Sequence, residues 1–255
     1  MTATALPAPW GPLPDAPRWN ASVGPFELWV DRGEGEFDVR HRQGLDPLAD
    51  ALGAASASDP PDDAALLRFV TRDPLVSLTP ALGDRSVVVR PEHPLSILPG
   101  QHADLVITTP LWVQLSVGGT VILDVPTFRP SDTWFGPTST EGQLAYASRT
   151  RARLRAHAQP TVRGRASTHL RVTNGGTAPL PLTRVNLPVQ RLPVWLDDAG
   201  FAWTAAVSLT SAGDTASVVV KDGPDLGDAS VTRVAEPRTP EGGRSFARAL
   251  STLLG

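Results

Sequence analysis

The sequence predicts an all-β protein with two sandwich-like antiparallel β regions and a short C-terminal α-helix. Side chains of alternating character run along residues 149–157 and 167–173, which is the period-two pattern of a strand. Many short apolar runs are separated by turn residues, and the 255-residue chain contains 26 prolines and 22 glycines. The length fits one large β domain or two small sandwiches, and the sequence leaves both alternatives open.

The N-terminal β region is predicted at residues 24–125. Residues 1–23 are rich in Pro and Ala and lack periodicity, so they are expected to form a flexible leader. Early in the region, FELWV and FDVRHR flank DRGEGE, the pattern of a hairpin. Residues 45–65 are polar and small, which indicates a long loop. Gly118 and Gly119 predict a second tight hairpin near the end of the region.

Residues 126–140, PTFRPSDTWFGPTST, interrupt the strand pattern and are interpreted as a junction. Trp134 and Phe135 are expected to pack where the two halves meet. The C-terminal β-sandwich is predicted at residues 141–238, and it contains the alternating segments.

A helix is predicted within residues 239–255. Phe246, Leu250, Leu253 and Leu254 recur at helical spacing and would form one apolar face. An isolated helix of this length is marginal in water, so it must dock on its own domain or on a partner.

Basic side chains alternate along the segment that follows the junction. We name the predicted patch the arginine face, and it comprises Arg149, Arg151, Arg153, Arg155, His157, His169 and Arg171. A helix over residues 148–156 is an alternative, because Ala, Arg and Leu are good helix formers. The strand is preferred because a helix would scatter the arginines around its circumference. Trp134 and Tyr146 complete the set of candidate ligand- or partner-binding residues.

The arginine face has two interpretations. Like charges along one face repel unless something neutralises them, so the face could bind a phosphorylated ligand, a lipid head group, a nucleic-acid backbone or an acidic partner. Alternatively, it is a solvated face whose arginines pair with carboxylates of neighbouring strands. Among these candidate ligands a nucleic-acid backbone is the less favoured, because the net charge is −3 and the face lacks interleaved aromatic side chains.

Recognisable catalytic and cofactor motifs are missing from the sequence. The lack of cysteine excludes disulfides, thiolate metal sites and a cysteine nucleophile. No nucleophile elbow, Walker sequence or dinucleotide fingerprint occurs, and no two of the five histidines have metal-binding helical spacing. We therefore predict no catalytic residues, no metal site and no cofactor, and we expect the protein not to be an enzyme.

The predicted localisation is cytoplasmic. No apolar run approaches the roughly 18 residues that a spanning helix requires, so no membrane insertion is expected. The N-terminus shows no basic segment followed by an apolar run of the kind that forms a secretory signal.

Two segments carry a resemblance to a known family. WFGP-x3-EGQLAYA and LRVTN followed by PLTRVNLPV are similar to segments of an uncharacterised archaeal and bacterial family, domain of unknown function 432. The resemblance covers residues 26–221. It implies an all-β fold, and it implies no activity because none is established for the family. It also keeps a membrane protein among the candidate partners.

Three functional hypotheses follow from the sequence. The first is a non-catalytic interaction or scaffold module whose protein partner contacts the arginine face or the C-terminal helix. The alternative is a module for a small anionic ligand or a carbohydrate that uses Arg151, Arg153 and His169, with Trp112, Trp134, Trp195 and Trp203 as candidate sugar-stacking residues. The third is a hydrolase whose site is dispersed along the chain.

Overall fold

Strands make up almost all of the regular structure, as the sequence predicts. The computed structural model describes residues 9–55, 59–71, 75–136, 138, 140–155, 162–212, 215–239, 245–249 and 254. Within these residues the strands form five sheets, and a short 3-10 turn lies at Val189–Arg191.

Strands occur along the whole length of the described chain. In the first half they are β1 Gly11–Pro12, β2 Arg18–Val23, β3 Phe26–Arg32, β4 Glu36–Gln43, β5 Leu52–Ala55, β6 Ala65–Val70, β7 Val76–Ala81, β8 Val87–Val89, β9 Leu95–Ile97, β10 His102–Pro110, β11 Trp112–Val117 and β12 Thr120–Pro126. In the second half they are β13 Ser131–Phe135, β14 Gln143–Ala147, β15 Arg153–Leu154, β16 Arg165–Asn174, β17 Leu180–Leu182, β18 Val185–Leu187, β19 Val194–Asp197, β20 Ala202–Thr204, β21 Val207–Ala212, β22 Thr215–Val220, β23 Val231–Ala235 and β24 Ser245–Ala249.

Three sheets are antiparallel and two are mixed. The antiparallel sheets have the orders β5-β2-β3-β4-β6, β1-β7-β11-β12 and β17-β9. The sheet β13-β14-β8-β18 contains one parallel pair, β14 with β8. The largest sheet has the order β23-β19-β20-β16-β21-β22-β24, with β10 beside β16 and β15 beside β10, and β16 runs parallel to β20 and β21.

The two predicted hairpins form where the sequence places them. In β3, Phe26 and Leu28 are buried and Glu27 between them is half-buried, because successive side chains of a strand face opposite sides of the sheet. The turn between β11 and β12 holds both Gly118 and Gly119 at positive φ, 55° and 81°. Two consecutive positive φ angles give the tight hairpin turn that glycine adopts without strain.

The largest sheet joins the two predicted β regions. β10, from the N-terminal region, pairs with β16 of the C-terminal region over nine residue pairs. One hydrophobic cluster also contains buried residues of both regions, among them Leu28, Leu115, Leu170 and Val207. The limits of the predicted domains themselves stay a prediction.

The first residues that the structure describes are already folded. Trp10 is buried, and β1 and β2 lie within the segment that the sequence assigns to a flexible leader. β2 pairs with β3 along all six of its residues. This short Pro-rich segment therefore pairs as strands although its sequence shows no periodicity.

The predicted C-terminal helix is wrong. Ser245–Ala249 forms strand β24, which pairs antiparallel with β22 from Thr215 to Val219. Leu254 is buried and bridges to Val185. A helix this short gains little in isolation, whereas the edge of β22 offers backbone hydrogen bonds to an extended segment.

The predicted junction contains the start of a hairpin. β13 pairs with β14, and Phe135 is fully buried while Trp134 beside it is 45% exposed. Gly136 and Gly142 allow the two strands to approach closely. A Cβ atom on Gly142 would lie 2.6 Å from the carbonyl oxygen of Phe135, and one on Gly136 would lie 2.0 Å from that of Glu141. The WFGP-x3-EGQLAYA segment thus has a structural reason for its glycines.

Candidate functional site

The predicted strand over residues 149–157 is wrong for its described part, residues 149–155, most of which is a loop. β14 ends at Ala147, and of these described residues only Arg153 and Leu154 pair with β10, as β15. Between them the hydroxyl of Ser148 donates to the carbonyl of Thr150 at 3.0 Å and accepts from its N–H at 3.2 Å. Such local side-chain bonds compete with strand pairing. We name residues 148–152 the arginine loop; His157 lies outside the described residues.

Two arginines that follow the loop are matched by carboxylates. Arg153 Nε lies 3.5 Å from Glu92 Oε2. Arg155 Nη1 lies 2.7 Å from Asp225 Oδ2, and its Nη2 donates to the Asp225 carbonyl at 2.9 Å. The hydrogen bond from Arg155 lowers the pKa of Asp225 below its ordinary value. The charges of Arg153 and Arg155 are therefore compensated within the chain.

Arg171 is paired in the same way across the ladder between β10 and β16. It stands directly opposite Asp104 and donates to both carboxylate oxygens, from Nε at 2.7 Å and from Nη2 at 3.0 Å. These hydrogen bonds lower the pKa of Asp104. For Arg153, Arg155 and Arg171, the interpretation as cations paired with neighbouring carboxylates is the one the geometry supports.

His169 is half-buried beside Trp203, with 5.7 Å between the ring centroids. Its pKa is lowered, first by burial and then by the positive charge of Arg155. The imidazole is accordingly neutral at pH 7, so His169 adds no cation to the arginine face.

Arg149 and Arg151 differ from the other predicted arginines. Both are exposed, and neither forms an ion pair with a carboxylate of the described residues. The Arg149 guanidinium lies over the ring of Phe128, 4.9 Å from its centroid. This stacking fixes the direction of the side chain but leaves its charge unbalanced.

Arg165 belongs to the same neighbourhood and was not singled out by the sequence. It is only 2% exposed. Its Nη2 donates to the carbonyl of Thr108 at 2.8 Å and to Oγ1 of Thr150 at 3.0 Å. Burial lowers the pKa of Arg165 to about 10. The alternating pattern of residues 167–173, extended by two residues toward the N-terminus, would have included Arg165.

Tyr146 and Trp134 lie in a different sheet from the paired arginines. The Tyr146 hydroxyl donates to Asp84 Oδ1 at 2.7 Å. Burial, and then this hydrogen bond, raise the pKa of Tyr146 to about 12. The Trp134 indole N–H donates to the Thr138 carbonyl at 2.9 Å. These two residues are not brought together with the arginine face by strand pairing.

The four candidate sugar-stacking tryptophans do not share one face. Trp112 and Trp195 are buried, at 6% and 7% exposure. Trp134 and Trp203, which are more accessible, lie on β13 and β20 of different sheets.

A groove of about 650 Å³ runs beside the paired arginines. Leu95, Leu98 and Leu154 are among its apolar lining residues. Arg155 and Asp104 also line it, and Asp104 is already bound to Arg171. The groove is mainly apolar, with its charges paired.

Nothing in the described part of the chain has the arrangement of a metal centre. No three His, Asp or Glu side chains of those residues gather closely enough to hold an ion. His102 Nε2 lies 3.6 Å from Asp104 Oδ2, an oxygen that Arg171 also engages.

Among the described residues, no helix has the length and apolar character that crossing a membrane requires.

A family model described as protein of unknown function, DUF432, matches residues 9–253. No curated protein and no solved structure matches the chain.

Proposed function

The chain belongs to the DUF432 family of proteins of unknown function, and we propose that it is a non-catalytic interaction module whose arginine loop binds an acidic segment of a protein partner. The observation that carries the proposal is the uneven charge balance of the predicted arginine face. Arg149 and Arg151 are exposed without a carboxylate partner in the described residues, whereas Arg153, Arg155 and Arg171 each have one.

The charge of the loop supports a protein partner with carboxylate side chains. Guanidinium groups bind carboxylates through paired N–H donors, and Arg is enriched at the centres of protein interfaces. The loop is also held firmly. Thr150, between the two arginines, accepts a hydrogen bond from the buried Arg165 and bonds to Ser148. A loop that is already ordered loses less entropy on binding.

The groove supports a second candidate function, a module for a small ligand. Its volume of about 650 Å³ falls within the range of small-molecule sites, roughly 300–1,000 Å³. Its apolar walls, Leu95, Leu98 and Leu154, suit an apolar group better than an anion, because the charge of Arg155 is already balanced by Asp225.

Affinity capture from native extract, with solubilised membranes included, tests the proposal. The tagged wild type is compared with the double variant Arg149→Glu/Arg151→Glu and with the control Arg153→Gln. A partner that both wild type and control retain, and that the double variant loses, supports binding through the arginine loop. A partner held equally by all three proteins would place the contact elsewhere.

A further inference from the structure

Arg165 is a buried cation with only neutral partners in the described residues. Its guanidinium donates to the carbonyl and the hydroxyl of Thr108, at 2.8 Å and 3.3 Å, and to the hydroxyl of Thr150 at 3.0 Å. None of these oxygens carries a charge. A buried charge without a counter-charge is strongly disfavoured, and a guanidinium does not escape by losing its proton near neutral pH.

A second buried polar group on the same face also has no hydrogen-bond partner among the described residues. Ser167 follows Arg165 by two residues on β16, so both side chains point to the same side of the sheet. Ser167 is 1% exposed, and its hydroxyl makes no hydrogen bond to the part of the chain that the structure describes. In the ladder it stands opposite Thr108, the residue to which the guanidinium binds. Buried polar groups without a partner are rare and call for an explanation.

The loop to which Arg165 is bonded supplies no counter-charge. Thr150 connects Arg165 to the arginine loop, in which Arg149 and Arg151 have no carboxylate among the described residues. Residues 148–152 themselves contain no Asp or Glu.

We propose that Arg165 and Ser167 bind one small monovalent anion of the halide class, with chloride as the ordinary occupant. One negative charge balances the single buried guanidinium, and the serine hydroxyl supplies a second donor. A divalent oxyanion fits less well, because it is more strongly hydrated and would leave an excess negative charge in the interior. This buried site does not depend on the proposed function, which rests on exposed arginines.

Thermal unfolding of the full chain at constant ionic strength tests the proposal. Chloride replaces gluconate, an anion too large for a buried site, and sulfate serves as a third series. We expect chloride to raise Tm by roughly 2–4 °C above gluconate and the rise to saturate, as stabilisation by a bound ligand does. Sulfate stabilises proteins generally because it is excluded from their surface, so its rise should not saturate. Equal Tm values in chloride and gluconate would overturn the proposal, and a saturating rise in sulfate at the same concentrations as in chloride would overturn the halide assignment.

Variants locate the ion. Ser167→Ala should shift the chloride midpoint about tenfold higher, since it removes a hydrogen bond to a charged group. Ser217→Ala, at an exposed position on β22, should leave the midpoint unchanged. Arg165→Gln should abolish the chloride effect. If that variant does not fold, chloride NMR provides the test, because a bound ion broadens the chloride line. We expect the wild type to broaden this line more than Ser167→Ala does. Identical broadening by the two proteins would contradict the assignment.

Discussion

Nη2 of the buried Arg165 donates a 3.0 Å hydrogen bond to Oγ1 of Thr150, at the centre of the exposed arginine loop. Thr150 Oγ1 also donates to the Thr108 carbonyl at 2.9 Å. The start of β16, the end of β10 and the loop are thereby tied at one point. This anchor holds the backbone of the loop in place between Arg149 and Arg151.

Thr150→Val should destabilise the protein. The substitution keeps the shape of the side chain but removes the hydroxyl, so the buried guanidinium loses an acceptor. A buried donor left without its partner costs about 1–3 kcal/mol in the free energy of unfolding. Urea denaturation measures the change. Thr120→Val, at an exposed position of the β11–β12 hairpin, is the control and should shift stability by less than about 0.5 kcal/mol. Equal effects of the two variants would remove the anchoring role of Thr150.

Gly142→Ala should destabilise the β13–β14 hairpin. The new Cβ would lie 2.6 Å from the Phe135 carbonyl oxygen and 2.7 Å from Trp134 Nε1, so strand or indole must move. Overpacking of this kind costs about 1–3 kcal/mol. Near-ultraviolet circular dichroism and urea denaturation report the change. Gly223→Ala is the matched control, since its Cβ would meet nothing nearer than Trp195 Cζ2 at 4.0 Å. If Gly142→Ala were as stable as that control, Gly142 would not lie so close to Phe135 and Trp134.

Hydrogen exchange should distinguish strand β24 from a helix. Because β24 pairs with β22 and not with a second described strand, alternate N–H groups between residues 245 and 249 bond to β22. We therefore expect alternating protection along these amides. A helix, by contrast, would protect consecutive amides beyond its first turn. Uniform protection along the segment would contradict the strand.

Stability should fall as the pH drops below about 6.5, the ordinary pKa of histidine. The folded protein lowers the pKa of His169, mainly by burial, so the unfolded chain binds a proton at a higher pH than the folded one. Stability is lost from the unfolded pKa down to the folded pKa, below which no further loss follows from this group.

His41, 5.8 Å from the Phe26 ring, has its pKa lowered by burial too. Urea denaturation across this range should show a weaker dependence in His169→Gln, with His41 responsible for part of the remainder. An unchanged dependence in that variant would show that His169 does not titrate as described.

Local features of the fold were predictable from the sequence, and long-range pairings were not. The hairpin at Gly118 and Gly119 depends on two adjacent residues, and the alternation of Leu170 and Val172 with Arg171 depends on one strand. The partner of Arg171, by contrast, is 67 residues away, at Asp104. Sequence spacing does not reveal such a carboxylate.

The arginine face shows the same limit. Its alternating pattern was real, but the serine and threonine at positions 148 and 150 favour a turn over a strand. The pattern also could not separate compensated from uncompensated arginines, because Asp225 is 70 residues from Arg155 in the chain. The prediction of β24 as a helix failed for a related reason. The edge of β22, with which β24 pairs, exists only in the folded sheet and cannot be seen in the sequence of residues 245–249.

Fluorescence anisotropy with a labelled oligoglutamate peptide tests the central claim most directly. The wild type should bind the peptide with an affinity that falls as salt rises. Arg149→Glu/Arg151→Glu should weaken binding about tenfold, since two attractive contacts of roughly 0.2–1 kcal/mol each become repulsive. Arg153→Gln, which alters an arginine already paired with Glu92, should bind like the wild type. If the double variant binds the peptide as tightly as the wild type does, the arginine loop is not the acidic-partner site.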